Sequence, residues 1–322
     1  MMGIMPYILL LAGFFLLIKG ASLLVDGASS LAGRLRVSDF AIGLTVVAFG
    51  TSVPELFVNI FASVTGNSEI AISNILGSNT FNILVILGVS ALILPLAVDK
   101  SSVWKGIPLV LLAAVITGIL ANDHFIDEKD YSALTRIDGL VLLMIFVIAM
   151  YYVAGVVKNI NRVDEFTHPA RLSIWKSTGI IFLGLLGLMF GARWVVGSAV
   201  KIAESFNVSQ SLIGATIVAC GTSFPELVTS VVAACRKNPG IAAGNIIGSN
   251  IFNVFFVLGI SSLIKPIPFR LETNIDVSVC ILSAFLLFIF MFTGKKHKLD
   301  RWEGAAFVLI YICYVCYIVI RK

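Results

Sequence analysis

The sequence predicts an all-α polytopic membrane protein whose ten transmembrane helices form two inverted five-helix repeats. Three observations carry that expectation. The 322 residues are 58% hydrophobic and 13% charged, with a mean hydropathy of +1.01, which leaves too little polar surface for a water-soluble fold. Apolar runs of about 20 residues, the length that crosses a hydrocarbon core, recur ten times along the chain. Two stretches also return at a fixed spacing, residues 43–55 at 214–226 and residues 74–82 at 245–253.

The first run, near 5–32, begins "MMGIMPYILLLAGFF". It lacks the basic segment of a secretory signal and continues past Lys19, so it reads as a retained helix. The second, 39–64, contains "GLTVVAFGTSVPE", and the third, 69–98, contains "NILGSNTFN". Runs at 103–121 and 136–157 complete a first repeat, residues 1–157. The polar stretch 158–173, "KNINRVDEFTHPARLS", reads as a cytoplasmic connector. A second repeat, 174–322, supplies runs at 174–202, 210–235, 240–264, 274–293 and 302–320, of which the second holds "GATIVACGTSFPE" and the third "NIIGSNIFN". Aligned without gaps, the first motif pair shares nine of thirteen residues and the second seven of nine. Agreement in two separate spans at one offset marks an internal duplication. Because five crossings is an odd number, the second repeat enters from the opposite face, and a pseudo-two-fold axis in the membrane plane relates the halves.

Basic residues set the expected orientation. With the N-terminus outside, inner loops hold fourteen Lys and Arg (among them Arg34, Arg36, Lys100, Arg171, Arg236 and Lys237) against seven outside. Both termini are therefore expected outside a cell membrane. The net charge of +5 is accounted for by inner loops, with no nucleic acid implied. The five cysteines fall within or at the ends of spans, and Cys313 and Cys316, though spaced as CxxC, share one apolar helix without a histidine. Packing is the expected role there, not metal or disulfide chemistry. The acidic outer loop "NDHFIDEKD" lacks the glycine and terminal glutamate of an EF-hand and reads as solvated.

Glu55 and Glu226 lie in the repeated motifs at membrane depth, where an unpartnered acid costs roughly 2.5–3.5 kcal/mol. Thr51, Glu55 and Asn59 are spaced i, i+4, i+8 on one helical face, as are Thr222, Glu226 and Ser230. The next span in each repeat presents Asn74, Ser78, Asn82 and Asn245, Ser249, Asn253 at the same spacing. Pro54 and Pro225 cannot donate to the carbonyls of Gly50 and Gly221, so each helix is expected to break at Gly-Thr-Ser and to expose backbone oxygen. Carboxylate, hydroxyl, amide and backbone oxygens, without membrane-embedded sulfur or imidazole, suit a hard cation such as Ca²⁺ or Na⁺. Two glutamates balance one Ca²⁺ or two Na⁺.

"GTSVPE" with "GSNTFN" and "GTSFPE" with "GSNIFN" resemble the paired alpha-repeats of the calcium/cation antiporter superfamily, in particular prokaryotic sodium/calcium exchangers. The resemblance implies a core of the second, third, seventh and eighth helices, across which the first and sixth slide during alternating access. It also implies that Glu55 and Glu226 share a central Ca²⁺ site. Thr51, Thr222, Ser78 and Ser249 would complete that site and flanking Na⁺ sites, with backbone oxygens near Ala48 and Ala219. Ser52, Ser223, Asn82 and Asn253 belong to the same candidate metal set. Some relatives carry an aspartate where Asn253 stands, and the symmetric Asn82 and Asn253 argue against K⁺-dependent exchange.

Ca²⁺ and Na⁺ are the expected substrates and the lipid bilayer the surroundings. No cofactor and no obligatory protein partner are implied. Ca²⁺/H⁺ exchange, with protons replacing Na⁺ on the glutamates, stays open. An intramembrane hydrolase using Ser52 or Ser223 would need a nearby base, yet His124, His168 and His297 all fall in loops. A channel is a further alternative, although mirrored acidic motifs suit an occluding carrier better.

Overall fold

The computed structural model describes residues 4–98, 100–126, 128, 130–159, 172–206, 219–294 and 297–321. Helices dominate: α1 (Met5–Leu35), α2 (Asp39–Thr51), α3 (Val53–Thr65), α4 (Ile70–Ile93), α5 (Lys100–Leu120), α6 (Arg136–Asn159), α7 (Ile174–Ser205), α8 (Phe224–Cys235), α9 (Pro239–Ile264), α10 (Asn274–Phe290) and α11 (Arg301–Arg321). Eight of them are long and apolar enough to cross a membrane, and α2 with α3 makes a ninth span bent by 42°. The tenth is represented by α8, a shorter apolar helix. The expected start of that span near 210 and most of the 158–173 connector lie outside the described residues. The chain is an all-helical membrane protein.

Depth separates the helices into two classes. In α4 and α9, 78% and 83% of the residues of the apolar window are buried inside the protein, against 17% in α11. The two central helices therefore need not be amphipathic, and their buried residues include Ser78, Asn79, Asn82, Ser249, Asn250 and Asn253 beside Ile75, Leu76, Ile246 and Ile247. Both slacken into π-helical turns at equivalent places, Asn82–Leu87 and Phe252–Leu258. Cys313 and Cys316 lie exposed on α11 and are not joined to each other, so neither packs in the protein interior as the sequence suggested.

Contacts between the halves are reciprocal. Gly13 of α1 meets the Gly191 carbonyl of α7, and Gly184 of α7 meets the Gly20 carbonyl of α1; a Cβ on either would stand 3.0 Å and 2.8 Å from those oxygens. Only a missing side chain permits such close antiparallel packing. Gly88 likewise abuts Gly304 where α4 crosses α11, and Gly139 abuts Gly259 where α6 crosses α9. Short strands repeat the exchange. β1 (Leu96–Ala97), just after α4, pairs antiparallel with β4 (Lys298–Leu299), just before α11, while β2 (Ser132–Leu134), before α6, pairs with β3 (Ile267–Phe269), after α9. Both α6 and α11 begin with an acid in the first turn that reaches back to the backbone N–H three residues earlier. The Asp138 carboxylate accepts from Thr135 N–H at 2.7 Å, and that of Glu303 from Asp300 N–H at 2.6 Å.

The turn between α8 and α9 is fastened to α1. The Arg236 guanidinium pairs with Asp26 and donates to the Ser22 hydroxyl and carbonyl. Asn238 Nδ2 donates to Ser29 Oγ at 3.1 Å and to Asp39 Oδ2 at 2.9 Å. Asp26 is thus an ion-pair partner, whereas Lys19 lies over the ring of Phe15.

Candidate ion-binding site

The repeated Gly-Thr-Ser-x-Pro-Glu sequence breaks both helices as its composition requires. Ser52 (φ −83°, ψ 4°) and Ser223 (φ −87°, ψ 6°) take nearly the same backbone conformation between helical segments, and Pro54 and Pro225 occupy first turns where a missing N–H costs nothing. Glu55 and Glu226 consequently sit in the first turns of α3 and α8. Unpaired N–H groups and the positive end of a helix dipole favour a carboxylate there.

The two carboxyl groups are 1% and 0% exposed, and each is held by the other repeat. Ser52 Oγ donates to Glu226 Oε1 at 3.2 Å and Ser223 Oγ to Glu55 Oε1 at 3.3 Å. The hydroxyls of Thr51 and Ser249 also stand beside Glu226, and that of Thr222 beside Glu55. The glutamates are close enough to repel when both are charged. Among the described residues, Oε2 of each is buried without a hydrogen-bond donor, as are Ser78 Oγ, Ser249 Oγ, Asn82 Oδ1 and Asn253 Oδ1. Such oxygens cost free energy unless a proton donor or a cation meets them. Their type, all hard oxygen, fits Ca²⁺ or Na⁺ better than a soft metal.

Neighbouring polar groups reinforce the cluster unevenly. Thr51 Oγ1 donates to Asn245 Oδ1 at 3.0 Å, and Asn245 Nδ2 donates to Ser230 Oγ at 3.0 Å and to the Glu226 carbonyl at 3.3 Å. In the other repeat Asn59 Nδ2 donates to the Glu55 carbonyl at 2.9 Å, whereas Thr222 Oγ1 and Asn74 Nδ2 have no partner among the described residues. The Ala48 carbonyl accepts from Ser52 N–H at 3.0 Å and from Thr51 Oγ1 at 3.3 Å. It closes the last regular turn before the break, so the oxygen that Pro54 deprives of its donor is that of Gly50. At the equivalent place Ser223 N–H turns to the Cys220 carbonyl at 3.2 Å, and Ala219 opens the short helical turn Ala219–Gly221.

Two residues of the cluster do not emerge from the i, i+4, i+8 stripes. Asn79 and Asn250 are the middle asparagines of "GSNTFN" and "GSNIFN". Asn79 Nδ2 donates to the Asn250 carbonyl at 3.2 Å, Asn253 Nδ2 to Asn79 Oδ1 at 3.0 Å, and Asn82 Nδ2 to Asn250 Oδ1 at 3.3 Å. Their identity in both repeats was the available signal. They also stand three residues before Asn82 and Asn253, close to the same helical face.

Comparison with known proteins follows the same division into halves. Residues 5–155 and 176–320 match the family described as sodium/calcium exchanger protein. An uncharacterised membrane protein of Methanocaldococcus jannaschii is 37% identical over 88% of this chain and 87% of its own. The putative antiporter CaxA of Alkalimonas amylolytica is 35% identical, covering 88% and 89%. A solved structure of the sodium-calcium exchanger NCX_Mj, soaked with zero Na⁺ and Ca²⁺, superposes with a TM-score of 0.84 at 34% identity over 98% of this chain and 100% of that one. A duplicated, glutamate-centred oxygen cluster inside an all-helical membrane fold and a full-length match in sequence and fold agree: the chain belongs to the sodium/calcium exchanger family, and is a membrane cation exchanger and not an enzyme.

Proposed function

We propose that the protein exchanges Ca²⁺ for Na⁺ across a cell membrane by alternating access, with both ions competing for the cluster around Glu55 and Glu226. The observation that carries this reading is the pair of buried carboxyl groups, each hydrogen-bonded through one oxygen to a serine of the opposite repeat and left with the other oxygen unpartnered among the described residues. Two ionised glutamates neutralise one Ca²⁺ or two Na⁺, so either load removes the charge that would otherwise oppose movement through the bilayer. In this reading Thr51, Thr222, Ser78, Ser249, Asn82 and Asn253 add neutral oxygens. Ser52 and Ser223 orient the carboxylates, and the backbone near Ala48 and Ala219 contributes where the helices break. The likeness to NCX_Mj, a sodium-calcium exchanger, supports the choice of ions.

Alternating access assigns the movement to α1 and α7, whose glycine-lined seam runs along each other and not through the cluster. The excess of Lys and Arg in the loops assigned to the inner face supports an orientation with both termini outside. The test is uptake of radiolabelled Ca²⁺ into proteoliposomes at fixed pH and clamped potential, driven only by an outward Na⁺ gradient. Uptake that collapses when Na⁺ is equalised supports the reading. Uptake driven by a proton gradient and indifferent to Na⁺ would make the protein a Ca²⁺/H⁺ exchanger, and single-channel current without saturation would make it a pore.

A further inference from the structure

The two ends of an asparagine amide have nearly the same shape and opposite chemistry. A carbonyl oxygen turned toward a cation binds it, and an NH₂ group repels it. At Asn82 and Asn253, therefore, ion affinity depends on something that fixes which end faces the cluster. Hydrogen bonds are what fix amide orientation, and both residues are fully surrounded by protein.

We infer that Asn79 and Asn250 are positioning residues that hold Asn253 and Asn82 with their carbonyl oxygens toward the ion. The logic runs outward from a backbone atom. The Asn250 carbonyl can only accept, so Asn79, 3.2 Å away, must present its NH₂ there. Its oxygen is thereby turned toward Asn253, which must answer with its own NH₂, at 3.0 Å. The Asn253 oxygen is then left pointing away from the relay, buried and without a donor among the described residues. It lies one helical turn beyond Ser249, whose hydroxyl stands beside Glu226. Each orientation is forced by the one before, and no step can be reversed without leaving a buried acceptor facing an acceptor.

The mirrored relay is incomplete. Asn82 Nδ2 donates to Asn250 Oδ1 at 3.3 Å, but Asn250 Nδ2 has no acceptor among the described residues. Among those residues nothing upstream fixes Asn250, so Asn82 is held less firmly than Asn253. The orientation of Asn253 depends more on Asn79 than that of Asn82 does on Asn250, although the four residues are related by the repeat.

The inference rests on the exchange reading, and its test separates the two. Removing Asn79 should matter only while residue 253 has unlike ends. Aspartate has oxygen at both ends and cannot present a donor when ionised, so it needs no such guide. In proteoliposomes at alkaline pH, Asn79→Ala should raise the KM for Ca²⁺ by about tenfold or more, the worth of one hydrogen-bonding contact to a charge, with kcat changed less than about twofold. In the Asn253→Asp background the same Asn79→Ala change should leave KM nearly unmoved. Asn250→Ala, tested with and without Asn82→Asp, should show the same pattern at smaller amplitude. It also serves should Asn79→Ala fail to fold. An equal rise in KM in both backgrounds, or none in either, overturns the inference. Side-chain amide NMR on protein labelled with ¹⁵N-asparagine is an independent measure that needs no transport. The Asn253 NH₂ signal, identified by its loss in Asn253→Asp, should exchange slowly with solvent in the parent and rapidly in Asn79→Ala. A parent without Ca²⁺ flux would remove the exchange reading, while unchanged NH₂ protection in Asn79→Ala would remove the relay.

Discussion

Gly20→Ala tests the seam between α1 and α7. A Cβ built on Gly20 stands 2.7 Å from the Gly184 carbonyl oxygen, 2.8 Å from Leu188 N and 3.0 Å from Gly187 C, all backbone atoms that cannot rotate away. Ordinary van der Waals contact begins at 3.4 Å, so the helices must part by about 0.7 Å at this crossing. A gap of that size forfeits roughly a quarter to a half of each contact's attraction, and overpacking of this kind costs typically about 1–3 kcal/mol. The better helix propensity of alanine returns at most about 1 kcal/mol. Gly20→Ala should therefore unfold at lower temperature in detergent and turn over more slowly in proteoliposomes, with KM for Ca²⁺ unchanged because the cluster is untouched. Gly179→Ala and Gly197→Ala, where nothing lies within 4 Å among the described residues, are the controls and should match the parent. Gly20→Ala with Gly184→Ala should cost less than the sum of the two, since both open one gap. If Gly20→Ala melts and transports like Gly197→Ala, the seam is not close-packed and the reasoning fails.

Three further outcomes are expected. Glu55→Gln or Glu226→Gln leaves one negative charge to face a divalent ion and should abolish Ca²⁺ uptake while elution and melting stay near the parent; uptake near the parent rate would exclude a shared site. Asn253→Asp adds a third carboxyl beside two buried ones, so repulsion and desolvation should make at least one acid retain its proton to higher pH. The acid-side loss of transport should accordingly begin at higher pH than in the parent, and superimposable pH profiles would place Asn253 away from the ion. Cys313→Ala and Cys316→Ala, both at exposed positions on α11, should leave flux intact under reducing and oxidising conditions alike, and a loss would reveal a thiol role.

Legibility in the sequence followed the length scale of each interaction. The span pattern and the duplicated acid motifs are written in composition and spacing, and so were the helix breaks at Ser52 and Ser223, because proline and glycine act on the backbone locally. What the letters did not disclose are contacts made between distant segments. The pairing of Ser52 with Glu226 and of Ser223 with Glu55 depends on how the repeats face each other. Serine beside threonine offers no hint of it. β1 to β4 are two or three residues long, too short for an alternating pattern to register. Arg236 reads as an inner-loop charge, and only the folded turn brings it to Asp26. The Asn79 relay is a matter of which end of an amide points where, information that one letter cannot hold.

The strand exchange between the halves bears on how the protein is made. Leu96 leaves the ribosome long before Leu299, its partner across β1 and β4, and the backbone groups around it stay unpaired until the final helix follows. Ile267 must in turn find Leu134, synthesised long before it. The first five spans can insert but cannot finish, because α4 and α6 await α11 and α9 at the Gly88–Gly304 and Gly139–Gly259 crossings. Maturation therefore waits on the contacts that α9 and α11 bring, and a nascent chain arrested before them would present its polar core, Glu55 included, to lipid and to quality-control proteases.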